Sequence, residues 1–157
     1  MDTKKISYAG VAGAVAGIVG ILGVYASWWE SDTVVYKGTA DVSGALALAM
    51  AIGTFAFGGA YVLISDARIR RAMGALMTLC AVVLTLACIW GLTRADSVEM
   101  GASVSSGLYV SALGGVVGIA AGLLALRDSM AMEAAGGPDA VATPTAPPSD
   151  PEGSSGS

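Results

Sequence analysis

The sequence predicts an all-α membrane protein, a bundle of four transmembrane helices built from two repeated hairpins. Of its 157 residues, 55% are hydrophobic and only 13% are charged, well below the charge content of a soluble domain. Four apolar runs contain no charged residue, and each is about 20 residues long, which matches a hydrocarbon core of about 30 Å. We place the four spans at residues 6–27, 44–64, 72–93 and 107–126.

The chain divides into two parts at residue 128. Residues 1–128 hold the four spans, whereas residues 129–157 are rich in proline, glycine, serine and acids and are predicted to be a disordered cytoplasmic tail. The formal net charge of −4 belongs to this tail, because the chain from Arg127 onward carries one basic and five acidic residues. The rest of the chain is balanced in charge and has no basic patch, so nucleic acid is not an expected partner.

Glycines recur along the first span at steps of three and four residues, at Gly10, Gly13, Gly17, Gly20 and Gly23. Such a stripe of small residues lets a second helix approach closely in a membrane, where lipid offers no hydrophobic drive for helix packing. We expect Gly13 and Gly17 to pack inside the bundle of this chain, with a dimer interface as the alternative.

A short polar passage after the first span is repeated after the third. Residues 28–44 read WWESDTVVYKGTADVSG, and residues 90–107 read WGLTRADSVEMGASVSSG. In each copy tryptophan closes a span, an Asp-Ser/Thr-Val triplet follows, and a pair of glycines leads into the next span. We predict that both copies lie together as one outer-face cap. Its residues are Trp28, Trp29, Asp32, Gly38, Gly44, Trp90, Asp96, Gly101 and Gly107.

The cap carries further local expectations. Tryptophans at span ends are typical of the aromatic belts at the water boundary, so those of the cap are expected to be interfacial anchors. The β-branched and aromatic segment 33–36 favours a short strand, and residues 98–105 could pair with it to form a small β cap. Asp41 or Ser43 is expected to cap the start of the second helix.

Basic residues are distributed unevenly among the loops. If the four helices alternate in direction, six of the eight basic residues fall on one side, and only Lys37 and Arg94 fall on the other. By the positive-inside bias the first side is cytoplasmic, so both termini are expected inside the plasma membrane and the cap outside. Residues 66–71 are expected to form a tight charged turn on the inner side. The six topology residues are Lys4, Lys5, Arg68, Arg70, Arg71 and Arg127.

The third span is bulky and rich in leucine, so it is expected to present a broad face to lipid. Its two cysteines, Cys80 and Cys88, would lie about 12 Å apart along one helix, too far for a disulfide, and are interpreted as small apolar fillers. The fourth span carries Gly114, Gly118 and Gly122 at four-residue steps. The first and fourth spans are therefore expected to pack closely against each other or against a partner.

Little chemistry is available for catalysis. The chain has no histidine, so it has no Ser-His or Cys-His pairing. The spans hold no carboxylate and no metal-ligand spacing occurs, so neither a metal nor a cofactor is expected. The carboxylates of the outer loops could attract a cation weakly, but are interpreted as solvated loop acids. They are Glu30, Asp32, Asp41, Asp96 and Glu99.

Four features of residues 6–127 occur together: a first span rich in glycine and alanine, tryptophan at its outer end, a short loop with glycine before an alanine- and leucine-rich second span, and an arginine-rich inner turn. In this combination the chain resembles small four-pass membrane proteins of actinobacteria, such as the group called tryptophan-biosynthesis-associated membrane proteins. The resemblance implies a location in the membrane and no assigned activity.

From these features we expect a non-enzymatic integral membrane protein that serves as an accessory, scaffold or assembly subunit of a plasma-membrane complex. Its expected partners are the lipid bilayer and either a membrane-protein partner or a second copy of the chain, bound through the glycine faces. The alternative is a small oligomeric pore or a protein that binds lipid or quinone. Span residues that could serve that alternative are the Ser and Thr hydroxyls and the tyrosines Tyr25, Tyr61 and Tyr109.

Overall fold

A computed structural model of the chain describes residues 7–32, 34–94 and 103–134. Within these residues, four long α-helices form a bundle, and each helix is long and apolar enough to cross a membrane. This confirms the predicted bundle of four helices that could span a membrane. The helices are α1 (Tyr8–Tyr25), α2 (Val42–Leu63), α3 (Ala67–Thr93) and α4 (Ser106–Ala134). Consecutive helices pack side by side, and α1 also packs along α4, which closes the ring.

The loop between α1 and α2 carries two strands, β1 (Ser27–Glu30) and β2 (Val35–Lys37), followed by a 3-10 turn at Gly38–Ala40. A third strand, β3 (Ser103–Val104), precedes α4. The three strands form a small antiparallel sheet in the order β2-β1-β3. We call the end of the bundle that carries this sheet the sheet end. The predicted strand over residues 98–105 lies in part outside the described residues.

Acidic side chains begin two of the helices. Asp41 accepts hydrogen bonds from the hydroxyl of Ser43 at 2.6 Å and from its backbone N–H at 3.4 Å, which confirms the expected cap of α2. Asp66 accepts from the backbone N–H groups of Arg68 and Ile69, at 2.8 and 3.2 Å. The prediction of a charged turn over residues 66–71 is therefore wrong: Asp66 caps α3, and the arginines lie in its first helical turns.

The fourth helix continues past its apolar run. It ends at Ala134, so the predicted start of the tail at residue 129 is too early. Ser129 is buried there, and its hydroxyl donates to the carbonyl of Leu126 at 2.8 Å. The carboxylate of Glu133 forms a salt bridge with the Arg71 guanidinium at 2.6 Å. Charged residues ended the apolar pattern but not the helix. Residues 135–157, the remainder of the predicted tail, lie outside the described residues.

The core has two parts. One lies at the sheet end, where Trp28, Trp29 and Leu84 are buried together with smaller side chains from all four helices. The other lies around Tyr61 and Met77, towards the connection between α2 and α3. We call this opposite end, where Arg68, Arg70 and Arg71 begin α3, the arginine end.

Candidate functional site

Two consecutive tryptophans are buried beneath the sheet. Trp28 and Trp29 are 0% and 1% exposed, their ring centroids lie 5.7 Å apart, and the rings meet edge to face. Successive residues of a strand normally point to opposite faces, but the register of β1 shifts between Ser27 and Trp29, and a bulge of this kind lets both side chains turn inward. The expectation that this pair anchors the protein at the membrane interface is therefore wrong.

Each buried indole has a hydrogen-bond acceptor. Trp28 Nε1 donates to the carbonyl of Gly23 at 3.1 Å, and Trp29 Nε1 donates to the carbonyl of Gly91 at 3.3 Å. A buried indole N–H without a partner would be costly, so these bonds fix both rings against the ends of α1 and α3. The third tryptophan of the cap, Trp90, is 45% exposed on α3, as an interfacial anchor would be.

The glycines of the cap make room for this arrangement. A Cβ atom on Gly38 would lie 2.6 Å from the Trp28 ring, and one on Gly44 would overlap the carbonyl of Gly38. Gly107 packs in the same way against backbone carbonyls of Gly23 and Ser27. The sequence repeat therefore marks, in these glycines, places of close backbone approach. Asp32 is exposed, whereas Asp96 and Gly101 lie outside the described residues.

An ion pair at the sheet end joins the end of α3 to the start of α2. The Arg94 guanidinium lies 3.4 Å from Asp41 Oδ1 and stacks over the Trp90 ring, 5.1 Å from its centroid. The hydrogen bond from the Ser43 hydroxyl lowers the pKa of Asp41 most, with smaller contributions from backbone N–H groups and Arg94, against a partial burial that raises it. Among the described residues, no three His, Cys, Asp or Glu side chains are arranged to hold a metal ion.

The interior of the bundle pairs glycines with hydroxyl side chains. Thr54 and Thr78 each donate to the backbone carbonyl four residues earlier in their own helices, at 2.9 and 2.8 Å. A Cβ on Gly118 would lie 3.2 Å from Thr54 Cγ2, and one on Gly122 would lie 3.0 Å from the Thr78 Cα. Thr85 and Ser111 bond within their own helices in the same way. Locally satisfied hydroxyls against glycines are typical of tight helix packing.

The predicted packing glycines of α1 and α4 contact other helices of this same chain. Gly13 packs against Met77 and Gly58, Gly17 against the backbone of Phe55, and a Cβ on Gly114 would lie 2.7 Å from the Gly20 nitrogen. The expectation that the first and fourth spans pack together is confirmed. A partner that docked on these glycines would have to displace a helix of the chain itself.

One membrane-facing surface has an unusual composition. The exposed positions of α1, α3 and α4 hold large side chains such as Val15, Leu79 and Leu113. On α2, the least buried of the four spans, one row of positions in steps of four and three residues is mostly small, whereas the exposed Val42, Leu46 and Phe55 beside it are large. We call this row the small-residue face: Ala45, Ala49, Ile52, Ala56, Gly59 and Leu63. This face was not among the predicted packing residues, although its 4-3 spacing is visible in the sequence.

A side chain at Gly59 would have no packing contact with the described residues. A Cβ atom built there would meet nothing within 4 Å, whereas one on the neighbouring Gly58 would lie 2.5 Å from the backbone nitrogen of Ala14. Glycine costs about 1 kcal/mol in a helix relative to alanine, so a glycine that serves no internal contact leaves a space that the chain itself does not use.

The arginine end brings four of the topology residues together. Arg70 stacks over the buried ring of Tyr61, 4.4 Å from its centroid, and Arg71 pairs with Glu133 of α4. Arg68 and Arg127 are exposed at this end. Lys4 and Lys5 lie outside the described residues. Of the tyrosines in the spans, Tyr61 is fully buried, and Tyr25 and Tyr109 are exposed near the sheet end.

No family model matches the chain, and neither a curated protein nor a solved structure matches it. The resemblance to the tryptophan-biosynthesis-associated membrane proteins therefore stays a prediction.

Proposed function

We propose that the chain is a non-enzymatic plasma-membrane protein that acts as an accessory or scaffold subunit, and that it binds a transmembrane helix of another membrane protein on the small-residue face of α2. The observation that carries the proposal is the row of small residues on this face, where the alanines are exposed and Gly59 is half-buried. Helix interfaces in membranes are enriched in small residues, because these let two backbones approach closely.

The other surfaces of the bundle fit this role less well. The glycines of α1 and α4 are already used by contacts within the chain. The large exposed side chains of α1, α3 and α4 suit contact with acyl chains. The face of α2 is left as the surface that combines exposure with small size. Because this face is apolar, it suits a transmembrane helix of a partner better than a soluble partner.

We prefer a scaffold to an oligomeric pore or a quinone site. A water-filled pore needs polar groups along its lining, but the hydroxyls of Thr54, Thr78, Thr85 and Ser111 donate to their own helices and pack against neighbouring helices. Tyr61, the buried tyrosine of the spans, already donates to Ala125. These groups have local partners in the described part of the chain.

In the proposed topology the arginine end faces the cytoplasm and the sheet end faces outward, as the positive-inside bias favours. A cysteine at the exposed Asp32 should react with a membrane-impermeant maleimide in intact cells, and one at the exposed Arg68 only after the membrane is opened. Both native cysteines are first replaced by alanine. The reverse labelling pattern would overturn the orientation.

Photo-crosslinking tests the docking surface with a matched pair of isoleucines. A photoreactive amino acid replaces Ile52 on the small-residue face of α2 or Ile18 on the exposed side of α1, which are 50% and 45% exposed. In native membranes we expect one discrete adduct with a different membrane protein from position 52 and none from position 18. Adding Ala56→Phe should abolish the adduct without changing the thermal stability of the purified chain, because residue 56 is exposed.

Two outcomes contradict the proposal. Equal adducts from both positions would show that α2 meets the same surroundings as the rest of the bundle. An adduct of twice the mass of the chain would show that the face joins two copies, which is a homo-oligomer and not an accessory subunit.

A further inference from the structure

Arg70 is a half-buried cation that has no carboxylate partner among the described residues. Its NH1 group reaches only the thioether sulfur of Met132, at 3.5 Å, and its Nε is buried without a hydrogen-bond partner. A thioether is a weak acceptor, so it does little to offset the cost of removing a guanidinium from water. Two other arginines do form salt bridges with carboxylates: Arg71 pairs with Glu133, and Arg94 pairs with Asp41.

Tyr61 holds this cation in one place. Its ring lies beneath the Arg70 guanidinium at 4.4 Å, and its hydroxyl is tied to the carbonyl of Ala125 at 2.9 Å. The tyrosine of α2 is fully buried against α1 and α4, so the platform under the guanidinium is rigid. Rigidity lowers the entropy cost of ordering Arg70 for a ligand.

A second buried polar group without a partner lies at the same end. The Ser7 hydroxyl at the start of α1 has no hydrogen-bond partner within the described ranges. One turn further on, a Cβ atom on Gly10 would lie 3.0 Å from the Tyr61 ring. Both polar side-chain atoms that are buried and unsatisfied in the described chain thus lie at the arginine end.

We propose that Arg70 binds the phosphate of an anionic phospholipid. A guanidinium presents a fork of N–H donors that matches phosphate oxygens, and such charge-assisted bonds are among the strong ones. The exposed Arg68, in the same first turns of α3, adds a second positive charge at this end, while the exposed Ile69 offers apolar contact to acyl chains.

The position of Arg70 favours a lipid over a free phosphate as the source of this group. The apolar run of α3 starts at Ala72, two residues after Arg70, so the guanidinium lies at the level where headgroups meet the hydrocarbon. Basic groups at the cytoplasmic ends of transmembrane helices are suited to anionic headgroups. This inference concerns a different surface from the docking face of α2 and does not depend on it.

The test uses the full chain in a non-ionic detergent, with native mass spectrometry to count bound lipid. Phosphatidylglycerol is titrated against phosphatidylcholine for the wild type, Arg70→Gln and Arg70→Lys. The control is Arg94→Gln, an arginine that also stacks on an aromatic ring but at the other end. We expect tighter binding of phosphatidylglycerol, an affinity reduced about tenfold in Arg70→Gln, partly kept in Arg70→Lys, and unchanged in Arg94→Gln.

Three results would overturn the proposal. They are equal binding of the two lipids by the wild type, equal losses in Arg70→Gln and Arg94→Gln, and displacement of phosphatidylglycerol by millimolar inorganic phosphate, which would assign the site to a soluble anion. If Arg70→Gln fails to fold, Arg70→Lys takes its place: an affinity equal to that of the wild type, together with equal binding of the two lipids, would overturn the proposal.

Discussion

The hydroxyl of Tyr61 donates a hydrogen bond of 2.9 Å to the backbone carbonyl of Ala125. This bond joins α2 to α4, which lie diagonally in the ring and meet at few points. Because neither α1 nor α3 contributes to it, the bond fixes the distance across the bundle at the arginine end. It is also a bond made at full burial, where competition from water is absent.

Tyr61→Phe should lower the free energy of unfolding by about 1 kcal/mol, because the ring and its packing stay while one buried hydrogen bond is lost. The measurement is unfolding by sodium dodecyl sulfate in mixed micelles. Tyr109→Phe is the control, since that side chain is exposed. Equal effects of the two substitutions would mean that the bond to Ala125 contributes nothing.

The adjacent glycines of α2 should respond to alanine in opposite ways. Gly58→Ala places a Cβ 2.5 Å from the backbone nitrogen of Ala14, so α1 and α2 must separate, at a cost of about 1–3 kcal/mol. Gly59→Ala meets open space and should be neutral or stabilise the isolated chain by up to about 1 kcal/mol. Unfolding of the two purified variants gives the comparison, and a loss at Gly59 as large as that at Gly58 would refute the assigned helix faces.

Substitution of the buried and of the exposed tryptophan should lower the free energy of unfolding by different amounts. Trp28→Ala removes a fully buried ring and its bond to Gly23, and should cost about 3–5 kcal/mol. Trp90→Ala removes an exposed ring and its stacking with Arg94, and should cost about 1 kcal/mol or less. If Trp90→Ala proves the more damaging of the two, the tryptophans act as membrane anchors and the burial of Trp28 carries little energy.

The hydropathy pattern predicts the four spans well, but it predicts the ends of the helices poorly. The four apolar runs correspond to the four helices, because the membrane requires a long uninterrupted apolar stretch. The same pattern could not show that α3 begins at Ala67 or that α4 reaches Ala134, since charged residues are as good helix formers as apolar ones once outside the lipid. A polar residue marks the end of the hydrocarbon, not the end of a helix.

The position of the tryptophan pair could not be predicted from its neighbours in sequence. A tryptophan at a span end can face the interface or turn inward, and both choices suit its amphipathic ring. The choice depends on Gly91, which lies 62 residues from Trp29 and accepts its indole N–H, and on Gly38, which leaves space for the Trp28 ring. Such contacts exist only after the helices have assembled. The small-residue face of α2, by contrast, can be read from the spacing of its residues in the sequence.

Acid should weaken the cap of α2 through Asp41. The hydrogen bond from Ser43 is the main cause that holds the pKa of this carboxyl below its ordinary value of 3.8 in the folded chain. A folded pKa below the unfolded one means that the stabilisation is complete above the ordinary value and is lost as the pH falls below it. The stability difference between the wild type and Asp41→Asn should therefore be constant from about pH 7 to about pH 5 and shrink below about pH 4. Unfolding by sodium dodecyl sulfate across this range provides the measurement. Ser43→Ala should reduce the part of this stability difference that is lost in acid, because it removes the main hydrogen-bond donor to Asp41. A difference that disappears already between pH 7 and pH 5 would contradict the assignment to this carboxyl.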